Sequence, residues 1–295
     1  LDLYDLFLIT FTLYVVAISA YWQNLSFGIL SSAILLAAVP IYIKSKLQIS
    51  NTLLKSLYMI YVMLVVVNFF TIIFPSVGLD GTKEYFIGGK NALAMSLIPA
   101  MFFISYYSYL IYKKITRLNF LLLVIIIASL YLSGSSTGAV VATGATIFVI
   151  FIRNIRIKPI IYVTTYIGTQ LLLLSSNRLN SVPVLADYVE KYFGKDLTFS
   201  GRTDVWEIAT QYIPNSIFGY GKGNDIIANN YSSEYGQILT ETHNMSLELL
   251  LVGGVILLVL FIIIVFGTFS LNKLNNKNIL VRISYFYTFL FFILG

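Results

Sequence analysis

The sequence predicts an all-α polytopic membrane protein, with about nine or more transmembrane helices and one long extracytoplasmic loop containing short helices. Three observations predict it. Hydrophobic residues make up 58% of the chain and charged residues 11%, with a mean hydropathy of +0.84, whereas ordinary soluble domains carry about 25% charge. Apolar runs close to the roughly 20 residues that a helical span requires recur along the chain. The basic residues gather in alternate connections between those runs.

The apolar runs place helices near 5–22, 25–43, 54–74, 92–112, 118–133, 138–152, 159–176, 244–267 and 279–295. Lys44, Lys46 and Lys55 fall in one connection, and Lys113, Lys114 and Arg117 in the next but one. Arg153, Arg156 and Lys158 follow, then Lys273, Lys277 and Arg282. These connections hold most of the 19 basic residues and no acid, and the positive-inside rule makes them cytoplasmic. By alternation 75–91, 133–138 and 177–243 face outward. The chain thus divides into seven spans over 1–176, an extracytoplasmic loop over 177–243, and two further spans over 244–295. Many of the 22 tyrosines lie near span ends, where amphipathic rings favour the membrane interface. The chain opens on Leu1 and stops at Gly295 inside an apolar run, so both ends are expected to be trimmed.

Composition also excludes. With no cysteine there is no disulfide or thiolate metal site, and a single histidine argues against a protein-built transition-metal centre. The net charge of +6 is explained by topology, so nucleic acid is not expected as a partner. No internal repeat is visible, which leaves an inverted-repeat transporter unsupported.

Chemistry concentrates in the outward loop. Ser200 to Tyr212 reads as a helix start followed by an amphipathic stretch, with Val205, Ile208, Ala209 and Tyr212 at three-to-four spacing and Trp206 beside them. Arg202 falls in its first turn, where the helix dipole does not favour a cation. A guanidinium at a helix N-terminus makes a pocket for phosphate or pyrophosphate; a surface pair with Asp204 or Glu207 is the plainer alternative. Gly219-Tyr220-Gly221-Lys222-Gly223 lacks the spacing of a phosphate-binding Walker loop and reads as a turn that could admit a sugar or phosphate close to the backbone.

His243 lies just before the span 244–267. The positive end of that helix dipole disfavours imidazolium, leaving a neutral ring able to accept a proton. Asn244 adjoins it, and Glu248 sits in the first turns of an apolar helix, where an acid is costly and marks a functional candidate. The alternatives are that His243 caps the helix and Glu248 pairs with a neighbour. Weaker features are Gly88-Gly89-Lys90-Asn91, Ser133-Gly134-Ser135-Ser136-Thr137-Gly138, and Arg178 at the outer end of the seventh span, where snorkelling suffices.

The ordered set of Ser200-Gly201-Arg202-Thr203-Asp204-Val205-Trp206, Pro214, Phe218-Gly219-Tyr220-Gly221, His243-Asn244, Leu247-Glu248 and Gly253-Gly254 resembles the O-antigen polymerase and O-antigen ligase family of bacterial surface-polysaccharide enzymes. The resemblance covers roughly a quarter of the chain, and Gly88 to Asn91 looks like that family's polar patch before a middle helix. It implies a multi-pass glycosyltransferase of the bacterial cytoplasmic membrane, working on the outer face. The implied donor is a glycan on a polyprenyl pyrophosphate, and in the polymerase case the acceptor is another carrier-linked repeat unit. Arg202 and His243 fall on positions where the family keeps functional residues. One departure is that Ser135-Ser136-Thr137-Gly138 lacks the arginine many members carry near the outer end of a middle helix; either Arg178 or Lys90 supplies a second cation, or the enzyme manages with fewer.

The expected enzyme is metal-independent and needs no cofactor. Arg202 would bind the donor pyrophosphate and His243 would orient or deprotonate the acceptor hydroxyl, with Arg178, Lys90, Asn91, Lys222, Asn244 and Glu248 as substrate-binding candidates. Membrane lipids, a flippase and a chain-length regulator are the expected partners. A ligase of the same family is the nearest alternative, and a flippase or transporter for lipid-linked oligosaccharides is the alternative from another class. Abundant Ile, Asn, Lys and Tyr lean towards a Gram-positive host, and so towards a capsule or exopolysaccharide polymerase.

Overall fold

The structure, a computed structural model, describes residues 3–47, 51–74, 76–77, 83–154, 157–174, 202–231, 242, 244–271 and 278–294. Among these a helix lies at each of the nine apolar runs. They are α1 (Leu3–Tyr21), α2 (Phe27–Leu47), α3 (Asn51–Ile73), α4 (Lys90–Tyr112), α5 (Arg117–Leu132), α6 (Ser136–Phe151), α7 (Pro159–Leu174), α10 (Met245–Leu271) and α11 (Ile279–Leu294). Two shorter helices, α8 (Arg202–Tyr212) and α9 (Ile226–Asn230), fall in the polar stretch. By length and composition α1, α3, α4 from Ala92, and α10 up to Val265 can cross a membrane. Apart from a two-residue antiparallel pairing of β1 (Ser76–Val77) with β2 (Lys83–Glu84), the described architecture is helical.

The chain falls into two compact units. One comprises 44–163 and 272–295, where α3, α4, α5, α6 and α11 pack around Leu97, Met101, Ile104, Leu123, Ile126, Val149 and Ile283. Polar side chains there serve the helix ends. Thr116 caps α5 by accepting from the Asn119 amide at 3.3 Å. Arg282 donates to the Ile152 carbonyl at the end of α6 at 2.5 Å, a position where the helix dipole favours a cation.

The other unit comprises 1–43 and 164–271, with α1 packed along α10. Here α8 behaves as its spacing predicts: Val205, Trp206 and Ala209 are buried together with Ile227 of α9 and with Leu247 and Leu251 of α10, while Asp204 and Glu207 face out. The polar stretch therefore has a small core of its own, shared with the long helix.

The span expected as one helix over 244–267 is broken. Gly253 (φ −135°, ψ 16°) and Gly254 (φ 61°, ψ −159°) leave helical geometry inside α10. Two adjacent glycines make a break affordable, because each favours a helix interior less than alanine by about 1 kcal/mol. The chain at 217–221 occupies the break: the Tyr220 amide donates to Leu251 O at 2.7 Å, the Gly221 amide to Val252 O at 2.9 Å, and the Val255 amide to Ile217 O at 3.1 Å. Contact is close enough to require glycine on both sides. A Cβ on Gly219 would lie 2.5 Å from the Gly253 nitrogen, and one on Gly254 would run into the Ile217 carbonyl oxygen.

Candidate active site

The site is built on the first turn of α10. Asn244 caps it, its Oδ1 accepting from the amides of Ser246 at 3.0 Å and Leu247 at 3.2 Å. Its Nδ2 donates to Gln170 Oε1 on α7 at 2.8 Å, and Tyr166, one turn earlier on α7, pairs its hydroxyl with Ser246 Oγ at 2.8 Å. Asn244 is buried as a result.

Thr242 is held more tightly still and is fully buried. Its carbonyl accepts from the Trp206 indole Nε1 at 2.9 Å. Its amide donates to Glu248 Oε2 at 3.3 Å, while its hydroxyl lies 3.2 Å from the same oxygen and 2.9 Å from Asn244 O. The Asn244 amide donates back to Thr242 Oγ1 at 3.3 Å. Glu248 thus reaches back across the start of its own helix, where the dipole favours a carboxylate. Its other oxygen takes the Lys222 ammonium at 3.0 Å.

Lys222 is delivered by the loop that fills the break in α10. Its amide donates to Ser19 Oγ on α1 at 2.8 Å. Trp22 Nε1 donates to Gly219 O at 3.0 Å and Asn24 Nδ2 to Tyr220 O at 3.1 Å. The Tyr220 hydroxyl donates to Tyr212 O at 2.9 Å.

Of the residues singled out from sequence, Lys222 and Glu248 meet directly, and Asn244 joins them through Thr242. Arg202 is the first residue of α8, but its side chain lies outside the described residues, as do His243 and Arg178 altogether. Lys90 and Asn91 open α4 in the other unit, their side chains also outside. Both chain neighbours of His243 are among the most firmly bonded residues of the site. Sequence reasoning assigned no role to Thr242, Gln170, Tyr166 or the end of α1. Gln170 carried a usable signal, since a polar side chain inside an apolar span is costly unless paired; the remainder did not.

Fold and site together define a helical membrane protein with an ordered polar knot at the head of a broken helix. Residues 121–262 match the family model described as O-antigen ligase, a segment that runs from α5 into α10 and encloses the whole knot. Over that segment the chain is similar to the O-antigen ligase family, whose members are membrane enzymes of cell-surface polysaccharide biosynthesis. No curated protein and no solved structure matches the chain.

Proposed function

We propose that the protein is a polysaccharide polymerase of the bacterial cytoplasmic membrane, with nine or more spans and its polar loop on the outer face. It transfers a glycan from a polyprenyl pyrophosphate to the non-reducing end of a carrier-linked repeat unit. The observation that carries this reading is the fixing of Thr242 and Asn244 on either side of the single histidine, inside the family-matched segment. Catalysis requires a positioned base, and the knot fixes the chain neighbours of that histidine, Thr242 and Asn244.

The acceptor hydroxyl attacks the anomeric carbon and forms the new glycosidic bond as the bond from that carbon to the pyrophosphate oxygen breaks. His243 takes the hydroxyl proton, and Arg202, at the N-terminus of α8, receives the departing pyrophosphate. Lys222 and Glu248 border the site as a neutralised pair, suited to hydroxyl-rich sugar. The reaction calls on no metal or cofactor, in keeping with a chain that has one histidine and no cysteine. A ligase acting on a finished carrier-linked chain is the second reading, favoured by the description of the matching family model.

The test is surface polysaccharide from a deletion strain carrying wild type, Arg202→Ala or His243→Ala at matched expression, resolved on a gel. Single carrier-linked repeats in both variants, against a ladder in wild type, support the polymerase. Long chains retained on the carrier point to the ligase, and unchanged ladders refute both.

A further inference from the structure

We propose that 216–221 is a re-entrant segment whose tip, Ile217–Phe218, enters the leaflet in which α10 begins and contacts lipid acyl chains. The inference does not depend on the transfer reaction.

Depth is the first argument. The segment runs alongside α1 from Ser19, which receives the Lys222 amide, down to Tyr14, whose hydroxyl donates to Phe218 O at 3.2 Å. Those five residues of helix correspond to about 7 Å of descent, and Tyr14 lies well inside a helix able to cross a membrane. Along α10 the same segment meets Leu251, Val252 and Val255. Gly254 is nine residues beyond Met245, roughly 13 Å along the helix, against a hydrocarbon thickness of about 30 Å. Both neighbouring helices therefore place Phe218 below the helix ends, within the apolar stretch of each.

The backbone is the second argument. Irregular chain is tolerated at membrane depth only where its polar groups find partners in protein. Here the Tyr220, Gly221 and Lys222 amides donate to Leu251 O, Val252 O and Ser19 Oγ. The carbonyls of 217 to 221 accept in turn from the Val255 amide, Tyr14 Oη, Trp22 Nε1, Asn24 Nδ2 and Asn224 Nδ2. Tyr14 also bonds Gly253 O at the break itself. Eight backbone groups of 217–222 are thereby satisfied within the protein; the Ile217 and Phe218 amides, at the tip, are not among them.

The tip is the third. Ile217 and Phe218 are 65% and 58% exposed, and the Ile217 carbonyl bonds the amide of Val255, which is itself exposed along with Ile256 and Val259 of α10. Polarity reverses at the shallow end, where Lys222 meets Glu248. Apolar at the deep end and charged at the shallow end is the profile that acyl chains and headgroups select.

Because the chain has no cysteine, single cysteines can be placed at Ile217, Phe218, Val259 and Asn229 and labelled with a polarity-sensitive fluorophore. The full chain is then reconstituted in vesicles of phosphatidylcholine brominated along the acyl chains. Labels at Ile217 and Phe218 should be quenched within about two-fold of the Val259 label, with Asn229 little affected. Quenching no stronger than at Asn229, at both tip positions and in protein that retains its helical circular dichroism, would overturn the proposal. Protection of Phe218→Cys from a membrane-impermeant maleimide without bromolipid quenching would assign the tip to a protein partner, and would overturn it equally.

Discussion

Lys222 Nζ stands 3.0 Å from one oxygen of Glu248, and the other oxygen of the same carboxylate receives the Thr242 amide at 3.3 Å. One side chain thus ties the loop that fills the helix break to the residue preceding His243. The two halves of the arrangement differ in worth. Lys222 and Glu248 side chains are 41% and 29% exposed, so the ion pair itself contributes about 0–1 kcal/mol. Thr242 is fully buried, and stranding its amide costs about 1–3 kcal/mol.

Glu248→Leu should therefore destabilise the protein more than Lys222→Met, by about 1–2 kcal/mol. Glu248→Gln, which keeps an acceptor for Thr242, should lie close to Lys222→Met. Thermal denaturation of the detergent-solubilised variants reads the order; equal losses for Glu248→Leu and Lys222→Met would assign the stabilisation to the ion pair instead.

Asn244→Ala removes the cap of α10 and should cost about 0.5–2 kcal/mol. Asn244→Ser restores a capping oxygen and should recover most of that. Failure of serine to recover stability would mean that the bond to Gln170 outweighs the cap, which a Gln170→Leu background would show directly.

Trp206→Phe keeps the buried ring in the small core but strands the buried Thr242 carbonyl, for a loss of about 1–3 kcal/mol. Its larger effect should be on turnover, because the segment carrying His243 loses one of its anchors. A variant with wild-type turnover would show that the indole bond serves packing alone.

Gly254→Ala combines a left-handed backbone with a clash against Ile217 O. It should lose more than the roughly 1–3 kcal/mol that a strained residue costs by itself. Gly168→Ala is the control: a Cβ there meets nothing within 4 Å, and alanine suits a helix interior. Equal melting temperatures for the two would rule out the docking of 217–221 in the break.

Much of the helical layout was legible because uninterrupted apolar runs bounded by polar residues mark the helices. The run read as 118–133 is the helix Arg117–Leu132, and that read as 159–176 is Pro159–Leu174. The amphipathic spacing of Val205 and Ala209 likewise foretold which face of α8 is buried. The break at Gly253-Gly254 was not legible, since the surrounding residues are apolar all round and carry no period to interrupt. Nor was the partnership of Tyr14 with Phe218, which lie 204 positions apart and meet only because α1 packs along α10. At the site, Asn244 and Glu248 could be picked out as polar groups at an apolar helix start, but their engagement with Thr242 and Lys222 depends on a loop path that no local pattern encodes.

The central claim is the proposal that His243, whose neighbours Thr242 and Asn244 are fixed by the knot, serves glycan transfer, and the most direct measurement is turnover by the purified chain in vesicles containing a polyprenyl-pyrophosphate-linked repeat unit. Release of free polyprenyl pyrophosphate should accompany chain growth in wild type. His243→Ala should abolish both, by at least about a hundred-fold for loss of a general base, while Trp206→Phe should lower kcat and leave KM largely unchanged. Undiminished carrier release by His243→Ala would contradict the account and move the chemistry away from the head of α10.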